Sequence, residues 1–168
     1  MSDESENDPR TSPGDGRRLP PFTPGQERIG HAVIRVMSAL NVWVYRATGG
    51  RLGGRFLRGA PVCLVTTRGR KTGAPRVAPL LYLADGERVV LVASKGGMSK
   101  HPLWYGNLVE NPECEVEIGS TRRPMRARTA GPEEKAALWP RLVAMSRDYD
   151  DYQARTDRDI PVVVLEPR

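Results

Sequence analysis

The chain has 168 residues, 39% hydrophobic and 27% charged, with 17 Gly, 15 Pro and a formal charge of +6, enough for one domain with a true core and too little for two of typical size. Composition excludes collagen, coiled coil and a wholly disordered chain, no segment reaches the roughly 20 apolar residues of a membrane-spanning helix, and the start lacks an apolar signal core. Cys63, Cys114, His31 and His101 cannot form a four-ligand zinc site of ordinary spacing, so no metal is expected and the thiols read as reduced in a cytoplasmic protein.

Residues 1–25 are Ser, Asp, Glu, Pro and Gly with almost nothing to bury, and a disordered tail is expected there. The next unit, 26–58, opens on a helix over 26–47 with Ile29, Val33, Val36, Met37, Leu40 and Val44 spaced by threes and fours, Arg35 and Ser38 opposite, and Trp43, Tyr45 and Arg46 near its end. Such a helix docks on a core or lies at a lipid headgroup boundary, and docking is the simpler reading. Gly49, Gly50, Gly53 and Gly54, interleaved with arginines, form a flexible connector.

The remainder, 59–168, reads as strands broken by short helices. Strands are expected at Pro61–Thr67, Arg76–Ala84 and Glu87–Ser94, the last two joined at Asp85-Gly86 by a type I′ hairpin. Glu113–Ile118 alternates, placing Cys114, Val116 and Ile118 inward and Glu113, Glu115 and Glu117 in water. Met125–Thr129 pairs with it across the turn at 119–122, so that glutamates face arginines. Helices are expected from Pro102 to Asn111 and from Pro132, the second kinked or divided at Pro140. A short polar segment near Tyr149–Thr156 precedes a buried last strand, Ile160–Glu166. Six antiparallel strands with sparse helices predict a small closed or nearly closed barrel of the α+β, mainly β class, and the GxGxxG of a Rossmann sheet is missing.

Charge is unevenly placed: from Ile29 through Val109 the only acids are Asp85 and Glu87, among a dozen basic residues. Such a stretch meets an anion, and with no aromatic residue between Phe56 and Tyr82 to stack bases, a small anionic ligand fits better than nucleic acid. Two loops could hold it. In Thr67–Arg76, Gly69 and Gly73 let amides converge while Arg70, Lys71, Thr72 and Arg76 add cations and a hydroxyl. In Ser94-Lys95-Gly96-Gly97, a glycine pair runs into a helix start. Both loops leave the second and third strands away from their hairpin, so they should converge on an elongated polyanion. Trp104 and Tyr105 stack on a ligand or pack in the core; Tyr149 and Tyr152, one turn apart, present hydroxyls or dock a helix. His101 reads as a cap or surface group rather than a general acid. No Ser/His/Asp set, reactive cysteine or carboxylate dyad is present, so a cofactor would supply the reactive atom.

The series Asn41-Val42-Trp43, Gly69-Arg70-Lys71-Thr72-Gly73, Pro79-Leu80-Leu81-Tyr82, Ala93-Ser94-Lys95-Gly96-Gly97, Pro102-Leu103-Trp104-Tyr105, Asn107-Leu108, Asn111-Pro112, Leu138-Trp139-Pro140 and Ile160-Pro161-Val162-Val163-Val164 resembles the deazaflavin-dependent nitroreductase family. The resemblance implies a split β-barrel of the FMN/F420-binding type and, as cofactor, coenzyme F420, a 5-deazaflavin with a phosphate and an oligoglutamate tail. By resemblance Arg70, Lys71, Thr72, Gly73 and Arg76 hold phosphate and tail, and Pro79 and Leu80 flank the ring. Ser94, Lys95, Gly96, Gly97, Trp104 and Asn107 complete the cofactor side; Tyr82, Ser94, Tyr149 and Tyr152 line the acceptor side. The implied activity is hydride transfer from the reduced cofactor to a quinone, enone or nitroaromatic; some members carry a tyrosine where this chain has Ser146, which sets nitroaromatic reduction apart. An FMN-binding split-barrel oxidoreductase and a non-enzymatic basic module are the alternatives. The expected partner is a small-molecule acceptor rather than nucleic acid, with a homodimer and a peripheral contact at the inner membrane face left open.

Overall fold

The structure is a computed structural model that describes residues 18–55 and 59–168. Most of the expected tail, 1–17, lies outside the described residues, but its end is engaged: the Leu19 amide donates to the Ala154 carbonyl at 3.1 Å and the Arg155 guanidinium lies over the Phe22 ring. The first helix, α1, spans Pro24–Ala47, two residues earlier than its periodicity suggested, because Thr23 and Gln26 form a reciprocal capping box with Pro24 at the first helical position. The connector is a run of turns, with the Thr48 hydroxyl bonded to the carbonyls of Val44 and Leu52; residues 56–58 lie outside the described set.

Six strands close a barrel in the order β1-β2-β3-β6-β5-β4, every neighbour antiparallel: β1 Val62–Arg68, β2 Pro75–Asp85, β3 Arg88–Val92, β4 Glu113–Ile118, β5 Thr121–Thr129 and β6 Val162–Pro167. Closure leaves no edge strand, and six strands leave a lumen that side chains fill. Cys63, Val65, Leu91, Val116, Met125 and Leu165 form this interior, capped by Leu108 of α2 (Leu103–Glu110). The outer faces of β3 and β6 carry Val90, Val92, Val162 and Val164, which bury Leu138, Trp139 and Leu142 of α3 (Pro132–Met145) and Tyr149 of α4 (Asp148–Arg155). The β6 strand is therefore buried on both faces, which is why it reads as an unbroken apolar run.

Four local expectations need correction. Asp85 pairs with Arg88, so the two turn residues are Gly86 and Glu87; of these only Gly86 has a positive φ, 62°, the pattern of a II′ rather than a I′ turn. Of the kink or division expected at Pro140, division is overturned: α3 is one helix through the proline, because Leu138, Trp139 and Leu142 on either side are pinned against the barrel wall. Glu117 is 7% exposed rather than in water: Arg46 at 3.2 Å and Arg122 at 3.4 Å neutralise it under the end of α1. Finally, α1 docks through Tyr45 and Val42, whereas Ile29, Val33, Val36, Met37 and Leu40 are exposed. The barrel offers it the outer faces of β1 and β2 around Val62, Leu64, Val77 and Leu81, too narrow to cover the whole stripe.

Topology sets the position of everything chemical. The β1–β2 loop, the segment between β3 and β4 that contains α2, and the α3–α4 segment between β5 and β6 all leave the same end of an antiparallel barrel. The β2–β3 and β4–β5 turns leave the other.

Candidate functional site

The first loop at this end is built as a tight closed turn. Gly69 N donates to the Ala74 carbonyl at 2.8 Å and Gly73 N to the Gly69 carbonyl at 2.7 Å, and Gly73 takes the left-handed φ of 69° that the turn requires. The Thr72 hydroxyl accepts from Ala74 N at 3.3 Å, so part of its capacity is spent on the turn. Arg70, Lys71, Thr72, Gly73 and Arg76 are all exposed. Among the described residues no carboxylate pairs with Arg70, Lys71 or Arg76.

Asn107, expected on the cofactor side, is 6% exposed and holds the loop. Its carbonyl oxygen accepts from Arg70 N at 3.1 Å, and its amide nitrogen donates to the Thr67 hydroxyl at 3.0 Å. Gly106 beside it leaves room for the Arg70 guanidinium against α2, since a β-carbon there would stand 3.0 Å from Arg70 Nη1. Trp104, half-buried, packs against the barrel interior and meets Tyr105 edge to face at 6.3 Å. Pro79 and Leu80 sit half-buried on β2, Leu80 against the same interior cluster.

The second loop turns left-handed for three successive residues: Lys95, Gly96 and Gly97 have φ of 48°, 65° and 77°. Lys95 bears a side chain in this region, a strain that persists only where surroundings fix it. Gly97 is fixed by packing, since a β-carbon there would lie 2.7 Å from the Tyr152 carbonyl oxygen. Below it Ser94 is buried, at 9% exposure. The Glu27 carboxylate of α1 accepts from the Ser99 amide at 2.8 Å and its hydroxyl at 2.9 Å, which holds that carboxyl below its ordinary range. Burial pushes the Lys95 ammonium down; Glu27 opposes the shift, while Arg158 and Lys100 add to it. Cations therefore exceed carboxylates around this loop, and an anion would relieve them.

Tyr149 and Tyr152 stand together on α4, rings 6.3 Å apart and tilted by 68°. Tyr149 also lies 6.5 Å from Trp139, whose indole nitrogen donates to Asp150 at 2.8 Å and locks α4 onto α3. Burial raises both phenols above their ordinary value, so both stay protonated donors at neutral pH. No hydrogen bond to another described residue engages either hydroxyl. Tyr82 stands apart: it packs on the barrel interior beside Cys63, and no ring contact or hydrogen bond joins it to the pair. Both cysteines are free and buried, their thiols pushed up to about 12 by desolvation, so neither is a nucleophile.

The structure thus places the two loops at one end of the barrel, the first held to α2 by Asn107 and the second packed at Gly97 against the Tyr152 backbone of α4. Sequence reasoning missed Glu27, Gly106 and Arg158. Arg158 lies between Asp157 and Asp159, outside every motif; only the fold reveals that its guanidinium donates to carbonyls of the loop. Among the described residues no helix is long and apolar enough to cross a membrane, and no metal-ligand cluster occurs.

The chain as a whole is similar to known proteins. Residues 37–167 match the family model described as F420H(2)-dependent quinone reductase. A relative of that name from Mycobacterium tuberculosis (strain ATCC 25618 / H37Rv) is 38% identical over 146 residues, which cover 85% of this chain and 95% of the relative. A solved F420-H2 dependent reductase (FDR-A) superimposes with a TM-score of 0.59 at 40% identity, over 63% of this chain and 94% of its own. A structure described as a domain-swapped dimer gives 0.62 at 36% identity, over 74% and 97%.

Proposed function

The chain belongs to the F420H(2)-dependent quinone reductase family and is an F420-dependent oxidoreductase, and on that premise we propose how its residues divide the work. The carrying observation is the pairing of exposed cations that lack carboxylate partners with a left-handed loop set against a protonated tyrosine pair. Arg70, Lys71 and Arg76, with the loop amides and what remains of the Thr72 hydroxyl, take the phosphate and the carboxylate tail. The fit is chemical: a polyanion answers cations that the fold itself leaves unneutralised. Pro79, Leu80 and Trp104 offer an apolar wall to a flat ring, and Ser94 to Gly97 offer amides along its polar edge, while Asn107 acts by positioning the first loop. In this reading 59–168 is the cofactor-binding barrel and α1 its accessory.

When bound, reduced deazaflavin supplies a hydride. The residues then have three tasks: to orient the acceptor, to exclude water and to furnish a proton. Tyr149 and Tyr152 donate hydrogen bonds to an acceptor oxygen and stabilise the charge that develops there as it is reduced. Tyr82 and Ser94 bound the acceptor space, Tyr82 from the barrel interior. A quinone is the acceptor we infer, with enones and nitroaromatics as further electrophiles. The enzyme works in the cytoplasm on this reading, to which its two reduced thiols conform. The uncovered apolar face of α1 supports a homodimer, as does similarity to the domain-swapped dimer; contact with the inner membrane face is a second use of that same surface.

Titration of the protein with F420, followed by quenching of cofactor fluorescence, tests the binding site, and pre-reduced F420 with a panel of quinones, enones and nitroaromatics tests the acceptor. Micromolar binding and fastest oxidation by quinones are expected. A folded protein that fails to bind at those concentrations, or that turns over no quinone, overturns the reading. Light scattering with and without anionic vesicles separates dimer from membrane contact.

A further inference from the structure

Arg158 occupies the connection between α4 and β6, outside every motif considered above, yet one guanidinium gathers three carbonyls of the second loop. Nε donates to Met98 O at 2.8 Å, Nη1 to Ala93 O at 3.2 Å and Nη2 to Ser94 O at 2.5 Å. These residues flank the left-handed run Lys95–Gly97, whose own backbone closes only through Gly97 N to Ser94 O and Met98 N to Lys95 O. A planar fork matches three divergent acceptors; an ammonium, a point donor, does not. Gln153 holds the clamp in turn, its side chain donating to the Arg158 carbonyl at 2.9 Å and accepting from Ile160 N at 3.0 Å. The clamp is thus tied into the same helix that carries Tyr149 and Tyr152.

The fourth contact of the guanidinium is His101 Nδ1, 3.1 Å from Nη1. Arginine can only donate, so Nδ1 must be an unprotonated acceptor and the imidazole neutral, with its proton on Nε2. The groups facing His101 are Arg158 and Asp159 from the α4–β6 connection, Lys100 beside it in the chain, and the Tyr105 ring of α2 at 5.1 Å. Asp159 is itself paired to Lys135 of α3. Protonation of His101 would set a second cation against the clamp.

We propose that Arg158 is the positioning residue that shapes the Ser94–Gly97 loop for the cofactor, and that His101 makes this clamp sensitive to acid. The inference rests on the proposed placement of F420 along that loop. Burial and Arg158 both hold the His101 imidazole below its ordinary value, with Asp159 offsetting them in part. The clamp is therefore intact at neutral pH and loosens as pH falls below that ordinary range of about 6.5.

The test is the affinity for oxidised F420, by fluorescence quenching from pH 5 to 8, for the intact chain, Arg158→Lys, Arg158→Gln, His101→Asn and Lys71→Ala, each checked by thermal melt. At pH 7.5 both Arg158 variants should bind about tenfold or more weakly. The intact chain should lose affinity toward pH 5, and His101→Asn, whose amide oxygen replaces Nδ1 and takes no proton, should bind like the intact chain at pH 7.5 and lose less toward acid. Wild-type affinity in Arg158→Lys alongside weakened Lys71→Ala would overturn the clamp, as would one common pH profile for the intact chain and His101→Asn. Affinity unchanged in Lys71→Ala and both Arg158 variants would instead overturn the placement of F420 itself. Should Arg158→Gln fail to fold, Arg158→Lys and the His101→Asn profile still decide.

Discussion

Arginine is used in two opposite ways on this molecule. On the outer wall of the barrel several guanidinium groups are neutralised: Arg141 meets Asp85 at 2.7 Å, Arg128 meets Glu134 and Glu166, Arg88 meets Asp85 and Glu134, and Arg122 meets Glu117 at 3.4 Å. On the rim formed by the β1–β2 loop, Arg70, Lys71 and Arg76 are exposed, and no described carboxylate answers them. Paired arginines add little to stability in solvent and mainly fix which strand and helix lie side by side. Unpaired ones repel each other and keep a field available to a ligand. Net charge alone hides this difference; the position of the carboxylates carries it.

The comparison can be broken most sharply at the rim. Replacing Lys71 and Arg76 together by Ala should raise the Kd for F420 about 100-fold or more, since each charge-assisted contact is worth roughly 1.5 to 3 kcal/mol. The melting temperature should hardly move, because exposed positions change stability by about 0.5 kcal/mol or less. A large loss of stability with unchanged affinity would mean that the rim is structural.

Asn107→Ala probes the support beneath the rim. It removes one buried and one half-buried hydrogen bond and should cost about 2 to 4 kcal/mol in denaturant unfolding, with weaker F420 binding as the loop loosens. Next in size, Gly97→Ala combines a positive φ with a β-carbon 2.7 Å from the Tyr152 carbonyl. A cost of about 1 to 3 kcal/mol is expected, with turnover falling because Tyr152 is displaced. Smallest is Arg128→Ala on the outer wall: below about 1 kcal/mol, with F420 affinity unchanged. Acid should separate the two regions as well. Arginine hydrogen bonds hold Asp85 and Glu134 below the usual carboxylate range, so their contribution is present above about pH 4 and is lost as pH falls through their lowered values.

Much of the barrel was legible in the sequence because strand alternation and turn residues are local signals. Glu113–Ile118 and the buried β6 run show this best. What was misread depends on distant partners. Glu117 alternates outward like Glu113 and Glu115, and only the arrival of Arg46 from α1 and Arg122 from β5 makes a buried position tolerable. The α1 stripe has helical spacing, but spacing cannot say whether a surface exists to cover it. The tight turn of the first loop was legible from its glycines, whereas the hydrogen bonds by which Asn107 joins that loop to α2 were not, because their partners lie some 40 residues earlier. Arg158 carried no local signal, since its acceptors lie some 60 residues earlier, at Ala93, Ser94 and Met98.

The central claim is that unneutralised rim cations, rather than shape alone, hold the cofactor. The most direct measurement is the Kd for F420 against salt concentration, for the intact chain and for the Lys71→Ala, Arg76→Ala double variant. Affinity that falls steeply with salt in the intact chain and much less steeply in the variant is the predicted result. Equal slopes in the two proteins, or binding indifferent to salt, would contradict it.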